Sequence, residues 1–444
     1  MSKKKNIQKN NERKGRQPWP WKGRDIRWEK LDNTAHLFPV IAGEEMTSVY
    51  RISITLSEEI DPELLQQALD TVLPRFQGFD LRLRSGFFWN YFEENGKRAP
   101  RVQLEARFPC RYIRPNRNNN YLFRVSYYRC RINLEVFHVL TDGMGGVNFI
   151  RELCYQYLRL KHPELHAQKG DALSADTSLN REDSFIKNYR QKAKRGYHSQ
   201  KAYLLKGERL PDGELGVMHG YTELDALKAL CREKGLTINE YLVACFVWSV
   251  YTECLNSSPC AKPIRVAVPV NLRPYFNSIT SKNFFVPVSV EFKPSREGQS
   301  FEEICAAVQQ SLKSQLNREH LEKLMSYNVA SQKKLWARFA PLPLKGIIMR
   351  QVYKVSALAN TSTLTNIGVI AFEDEYKPYI KAFHAFLPTS KGQPVRSTVC
   401  SYDGRLIFTF SYNIKDTSVQ RGFFRRLSQD GLNVELESNG VSYE

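Results

Sequence analysis

The 444-residue chain carries 65 Lys and Arg against 46 Asp and Glu, a formal charge of +19, with 42% hydrophobic and 25% charged residues. This is the composition of a folded globular protein too long for one ordinary core, and it excludes collagenous, coiled-coil and wholly disordered chains. The longest apolar run, Tyr241 to Tyr251, falls short of the roughly 20 residues of a membrane-spanning helix.

The charge is concentrated. Residues 1–24 have a net charge of +8 and lead into Trp19, Pro20 and Trp21 rather than an apolar core with a cleavage site, which predicts a disordered basic tail and no secretory signal. Residues 186–209 add a net +7, leaving a nearly neutral body and arguing against a basic platform for nucleic acid. Contact of the tail with anionic membrane is the sharper expectation for that segment, a solvated tail the plainer one. The nine cysteines are scattered without a Cys-x-x-Cys pair or zinc spacing, so reduced thiols, no metal site and a cytoplasmic protein are expected.

Along the chain, Tyr50, Ile52, Ile54 and Leu56 alternate with Arg51, Ser53 and Thr55, the period of a strand with one buried face. Asp61 caps a helix running through Leu65, Ala68, Leu69 and Val72. Strands follow near 80–92, 121–128 and 131–138, then a helix from about Gly145 to Leu160. Residues 161–215 are poor in large apolar groups, which divides the chain into an N-terminal lobe (25–185), a basic linker (186–215) and a C-terminal lobe (216–444). In the second lobe a helix starts at Glu223, and Thr237 with Glu240 forms a capping box ahead of the apolar run. Strands near 264–270 and 284–292, a helix capped by Ser300 and Glu303, helical patterns over 319–356, strands near 365–372, 395–402 and 405–412, and a helix from Asp416 complete the reading. The class is α/β or α+β with mixed sheets.

The strongest constellation is Phe137-His138-Val139-Leu140-Thr141-Asp142-Gly143 at a strand-to-helix junction. A neutral imidazole at the strand's end can take a proton from a hydroxyl or amine attacking an electrophile. Asp142 turns back under the loop and needs a cationic partner, Gly143 permits a tight turn, and the helix start offers free N–H groups. His36 and His384 lie among apolar residues without a motif and read as structural. Trp336 to Tyr353, basic and apolar by turns, reads as an amphipathic helix covering the core.

His138-x-x-x-Asp142-Gly143, with Leu69 to Phe76, Gly235 to Glu240 and Val268-Pro269-Val270-Asn271-Leu272-Arg273 in the same order, resembles the chloramphenicol-acetyltransferase-like superfamily. That superfamily includes peptide-synthetase condensation domains, BAHD plant acyltransferases and bacterial alcohol acetyltransferases, and the likeness runs from about residue 30 to 440. The resemblance implies two similar lobes of mixed sheet flanked by helices with a central tunnel. It implies His138 as general base, with Gly143 beside it, and Asp142 as a structural carboxylate paired with Arg273. Asn283 matches an asparagine common after that segment. Thr365-Asn366-Ile367-Gly368 is similar to the Ser-Asn-x-Gly stretch of the bacterial alcohol acetyltransferases, so Asn283, Thr365 and Asn366 are expected to bind substrate. Phe137 stands where many members carry a first histidine, which moves the chain away from condensation domains.

The activity so implied is transfer of an acyl group from acyl-CoA, a co-substrate rather than a bound cofactor, to a small alcohol or amine. Two alternatives stand beside it. One is a free-standing amide synthase served by a carrier protein in trans, the other a binding protein that kept the fold without the chemistry.

Overall fold

The computed structural model describes residues 27–190, 200–334 and 339–440. The basic tail expected over residues 1–24 and the centre of the basic linker lie outside these residues. Fifteen strands are described: β1 (Trp28–Lys30), β2 (Val49–Leu56), β3 (Leu81–Ser85), β4 (Asn90–Glu94), β5 (Gln103–Leu104), β6 (Phe123–Tyr128), β7 (Arg131–Phe137), β8 (Gly216–Glu223), β9 (Ile264–Asn271), β10 (Phe285–Phe292), β11 (Ser362–Val369), β12 (Ile380–Phe386), β13 (Val395–Tyr402), β14 (Arg405–Tyr412) and β15 (Glu435–Ser438).

They form a five-stranded sheet in the order β12-β2-β7-β6-β5, a seven-stranded sheet in the order β10-β9-β11-β13-β14-β8-β15, and a small antiparallel sheet β1-β4-β3. Both large sheets are mixed, with β5 parallel to β6, and β11 parallel to both β9 and β13. Each large sheet buries its apolar face under helices. Tyr50, Ile52 and Ile54 pack beneath the helices Pro62–Val72 and Gly143–Lys161, the first capped by Asp61 through the amides of Glu63 and Leu64. On the second sheet, Val399, Phe408 and Phe410 pack with the helices Ile238–Ser249, Phe301–Gln315 and Ser418–Gln429. The capping boxes at Thr237/Glu240 and Ser300/Glu303 are both formed.

The single buried face expected for β2 is a partial reading, because its polar face is buried as well. Arg51 is paired with Glu135 and Glu105, and Ser53 donates to Asn133 at 2.7 Å. Each group finds its partner inside the protein, which is what makes burial of that face tolerable. What covers the face is the other sheet. Phe386 of β12 and Cys110, on the side of the first sheet, pack with Leu215 and Val217 at the start of β8 in the second, and the rings of His384 on β12 and His219 on β8 lie 4.4 Å apart. The polar faces of the two large sheets therefore meet at the lobe junction while the helices lie outside.

A boundary at 186–215 does not follow the hydrogen-bond ladder. Strand β12, from the C-terminal half, completes the first sheet by pairing antiparallel with β2, and Phe185, Leu205 and Leu210 already belong to the second core. Of the amphipathic segment expected over 336–353, residues 336–338 lie outside the described residues, and the rest leads into the helix Leu342–Ala357, which covers less than expected. Leu344, Ile347, Val352 and Val355 are exposed, while Arg350 anchors the helix by donating to the Val40 carbonyl at 2.8 Å. Among the described residues no helix is long and apolar enough to cross a membrane.

Candidate active site

His138 follows the last residue of β7, and its amide donates to the Ser48 carbonyl at 2.9 Å, which fixes the backbone beside the start of β2. The ring is half-buried. It stacks on Phe38 with centroids 4.6 Å apart, meets the Tyr50 ring edge-on at 5.1 Å and leans toward Phe285 at 5.7 Å. Its Nδ1 lies 3.1 Å from Asn283 Oδ1.

Asn283 has a fixed orientation because Asp32 holds it from behind. Asp32 Oδ2 accepts from Asn283 Nδ2 at 2.9 Å and from the Asn283 amide at 3.3 Å, while Oδ1 accepts from the Ala35 amide at 2.8 Å. With the Asn283 NH2 group turned to Asp32, its carbonyl oxygen faces the imidazole and can only accept. This assigns the proton to His138 Nδ1 and leaves Nε2 as a lone-pair base. Burial raises the Asp32 pKa to about 6 against the opposing hydrogen bond from Asn283. Burial lowers that of His138, opposed by Asp142 and Asn283 and reinforced by the positive charge of Arg396. The imidazole is thus neutral at neutral pH.

Asp142 lies beneath the His138 loop, 6% exposed. Arg273 reaches it from the second lobe in a fork, Nη1 to Oδ2 at 2.8 Å and Nη2 to Oδ1 at 3.1 Å, and spends its other donors on the carbonyls of Thr280 and Lys282, each at 2.8 Å, and on Asn271 Oδ1 at 3.3 Å. Asp142 also accepts from the Phe284 amide at 3.1 Å and caps the Gly143–Lys161 helix through the Gly145 amide at 3.3 Å. Every lone pair is used, so the buried pair is fully compensated. Thr141 adds a further bond across the lobes, from its hydroxyl to the Ser281 carbonyl at 2.6 Å. The pair clamps the loop 138–145 of one lobe to the segment 273–284 of the other, and Asn283 lies within that segment.

The close approach at this junction falls on Gly145 and Gly146, inside the helix, rather than on Gly143, and none of the three has a positive φ. A Cβ on Gly143 would meet nothing within 4 Å, whereas one on Gly145 would lie 1.9 Å from Thr141 Oγ1 and 2.9 Å from the Ser281 carbonyl, and one on Gly146 would lie 2.7 Å from the Tyr50 hydroxyl. Asn366 is likewise displaced from its expected place. Its Cα partner across the sheet is Val399, on the helix-covered face, and it is exposed, accepting from the Gly368 amide at 2.8 Å within a β-bulge where Gly368 has φ +90°. Asn366 supports the bulge rather than the site.

Thr365 points the other way. It pairs with Thr398, Thr398 with Thr409 and Thr409 with His219, a row of polar residues across the face turned to the first lobe. His219 Nδ1 lies 2.8 Å from Thr409 Oγ1, and His384 Nε2 lies 2.8 Å from the Tyr221 hydroxyl. The hydroxyls of Thr365 and Thr398 and the Nδ1 of His384 are buried without a hydrogen-bond partner among the described residues. Sequence reasoning missed Asp32, whose segment carries no motif, and the row as a unit. It did single out Thr365.

No protein-family model matches the chain, and no curated protein matches it. Solved structures do. The trichothecene 15-O-acetyltransferase TRI3 from Fusarium sporotrichioides superposes with a TM-score of 0.61 at 10% identity, covering 91% of this chain and 94% of that one. The fold is that of the chloramphenicol-acetyltransferase-like and condensation-domain proteins. TRI101 from F. sporotrichioides, complexed with coenzyme A and T-2, gives 0.60 at 10% identity over 93% and 100% of the two chains. The condensation domain of the Monacolin K polyketide synthase MokA gives 0.53 at 10% over 92% and 97%. The shared architecture places two mixed-sheet lobes side by side, as expected from the sequence.

Proposed function

We propose that this protein is an acyltransferase that moves an acyl group from a thioester, acyl-CoA in the first instance, to the hydroxyl or amine of a small acceptor. The observation that carries the reading is the Asp32–Asn283–His138 chain, which leaves a neutral imidazole with a free Nε2 at the junction of the lobes. His138 Nε2 takes the acceptor's proton as its oxygen or nitrogen bonds to the thioester carbonyl carbon. Collapse of the tetrahedral intermediate breaks the carbon–sulfur bond, and the proton passes from His138 to the leaving thiolate. The unpartnered Thr365 hydroxyl is a candidate donor to the intermediate's oxyanion. Asp142 and Arg273 hold the loop and take no part in proton transfer.

The test is release of free thiol from acetyl-CoA, and in parallel from an acetylated phosphopantetheinyl carrier, with a panel of alcohols and amines. Acceptor-dependent release that falls about a hundred- to ten-thousandfold in a folded His138→Ala variant is expected. Release that is absent with both donors, or equal in the variant, overturns the reading.

A further inference from the structure

Arg396 is a cation without a counter-charge at the lobe junction. It lies on β13 two residues before Thr398, so alternation puts it on the same face of the seven-stranded sheet as the polar row. Its side chain is half-buried, and its Nε is sealed from solvent with no hydrogen-bond partner. Among the described residues it makes a single hydrogen bond, from Nη1 to the Pro388 carbonyl at 3.1 Å, and no carboxylate pairs with it. Other inward-facing arginines use more of their donors inside the protein. Arg51 is matched by Glu135 and Glu105, Arg273 by Asp142 and Arg265 by Glu291, and the buried Arg159, also without a carboxylate, donates to the Tyr376 hydroxyl and to the carbonyls of Gly170 and Ala172.

The sheet register ties Arg396 to the face turned to the first lobe, because Thr398, two residues on, pairs with Thr365. Burial lowers the Arg396 pKa, opposed by Tyr353, whose hydroxyl donates to Met46 Sδ at 3.2 Å, and Met46 is two residues from Ser48, whose carbonyl holds the His138 amide. The positive charge of Arg396 opposes protonation of His138. Burying a guanidinium while leaving it unpaired is unfavourable, and a protein tolerates it where a ligand supplies the missing charge.

We propose that Arg396 receives a carboxylate carried by one of the two small reactants, so that the enzyme selects a hydroxy or amino acid as acceptor or a dicarboxylic acyl group as donor. This rests on the acyl-transfer reading for the identity of the reactants, though not for the existence of the site. The phosphates of CoA are poor candidates, because the extended pantetheine arm holds them far from the reacting thioester, whereas Arg396 shares the inward face of the sheet with Thr365 and Thr398. A planar guanidinium with free donors fits a planar carboxylate by two parallel bonds. Arg396 is a specificity residue, since it grips a part of the substrate that does not react.

Two matched comparisons separate the sources. With acetyl-CoA, 4-(hydroxymethyl)benzoate is set against 4-(hydroxymethyl)benzamide, and 6-hydroxyhexanoate against 6-hydroxyhexanamide. With neutral benzyl alcohol as acceptor, succinyl-CoA is set against butyryl-CoA. The charged member of one comparison is expected to be favoured about ten- to hundredfold in kcat/KM, mostly through KM. Arg396→Gln is expected to abolish that preference and Arg396→Lys to keep part of it.

A readout without turnover runs beside them, the rise in melting temperature given by 4-methylbenzoate or succinate against 4-methylbenzamide or succinamide. If nothing is acetylated but only the carboxylates stabilise the protein, and Arg396→Gln removes that effect, the anion site stands and the acyl-transfer reading falls. The unliganded Arg396→Gln protein should melt no lower than the wild type, because it loses an uncompensated charge. Equal responses to charged and neutral probes, a preference that survives in Arg396→Gln, or a Gln variant that melts well below wild type overturns the proposal.

Discussion

At the scale of single residues, the site turns on which nitrogen of His138 carries the proton, and the structure answers with Asn283 and Asp32. In the proposed transfer the imidazole acts when neutral, so activity is expected to be lost as pH falls through its pKa. Burial sets that pKa below the ordinary value of 6.5, and kcat/KM is therefore expected to hold to a pH lower than an exposed histidine would allow. Asp32 takes up its own proton near pH 6, which weakens its hold on the Asn283 amide and adds to the acid limb. The Asn283 hydrogen bond raises the His138 pKa. In Asn283→Ala the acid limb is expected to move to lower pH while kcat falls about tenfold, the equivalent of one lost hydrogen bond. A pH–rate profile checks both, and an Asn283 that served only packing would lower kcat without moving the limb.

At the scale of elements, the His138 loop is built by close approach rather than by unusual dihedrals. Gly145→Ala drives a methyl group into Thr141 Oγ1 and the Ser281 carbonyl, and is expected to destabilise by about 1–3 kcal/mol. Gly143→Ala, in open space at the first turn of the helix, is expected within about 0.5 kcal/mol of wild type. Denaturant midpoints of the two variants test the reassignment, and equal losses would restore Gly143 to the turn. The same contrast explains what was legible in the sequence. Caps at Asp61, Thr237 and Ser300 announce helices because cap and stripe lie within a few residues of each other. Strand β8 was hidden by Gly216 and Gly220, which lower strand propensity but make room for the rings of Tyr412 and Phe424, where a Cβ would lie 2.3 and 2.1 Å away. Asp32 stayed hidden because its partner is 251 positions away, beyond any local pattern. The Asp142–Arg273 pair was legible at 131 positions, because the chemistry of a buried carboxylate demands a cation and the resemblance supplied its place.

At the scale of the whole molecule, the two halves of the chain do not correspond to two independent folding units. The first sheet needs β12 to cover β2, and the first core draws Ile370, Phe372, Tyr376, Ile380 and Phe383 from beyond residue 360. Arg159 in the Gly143–Lys161 helix donates to the Tyr376 hydroxyl at 2.7 Å. A fragment of residues 27–215 loses these five side chains, each contributing about 1.5–3 kcal/mol by burial, against a total domain stability of about 5–15 kcal/mol. It also bares the edge of β2, leaves Arg51, Ser53 and Glu135 facing water instead of the second sheet, and strips Asp142 of Arg273. The fragment is expected to show no cooperative thermal transition and to bind a hydrophobic dye strongly, while the full chain unfolds with both lobes coupled through β12 and the Asp142–Arg273 clamp. Calorimetry of the two proteins decides the matter. A fragment that melts sharply would mean that the first lobe closes its own core, and the His138 loop would then owe its shape to local packing rather than to the second lobe.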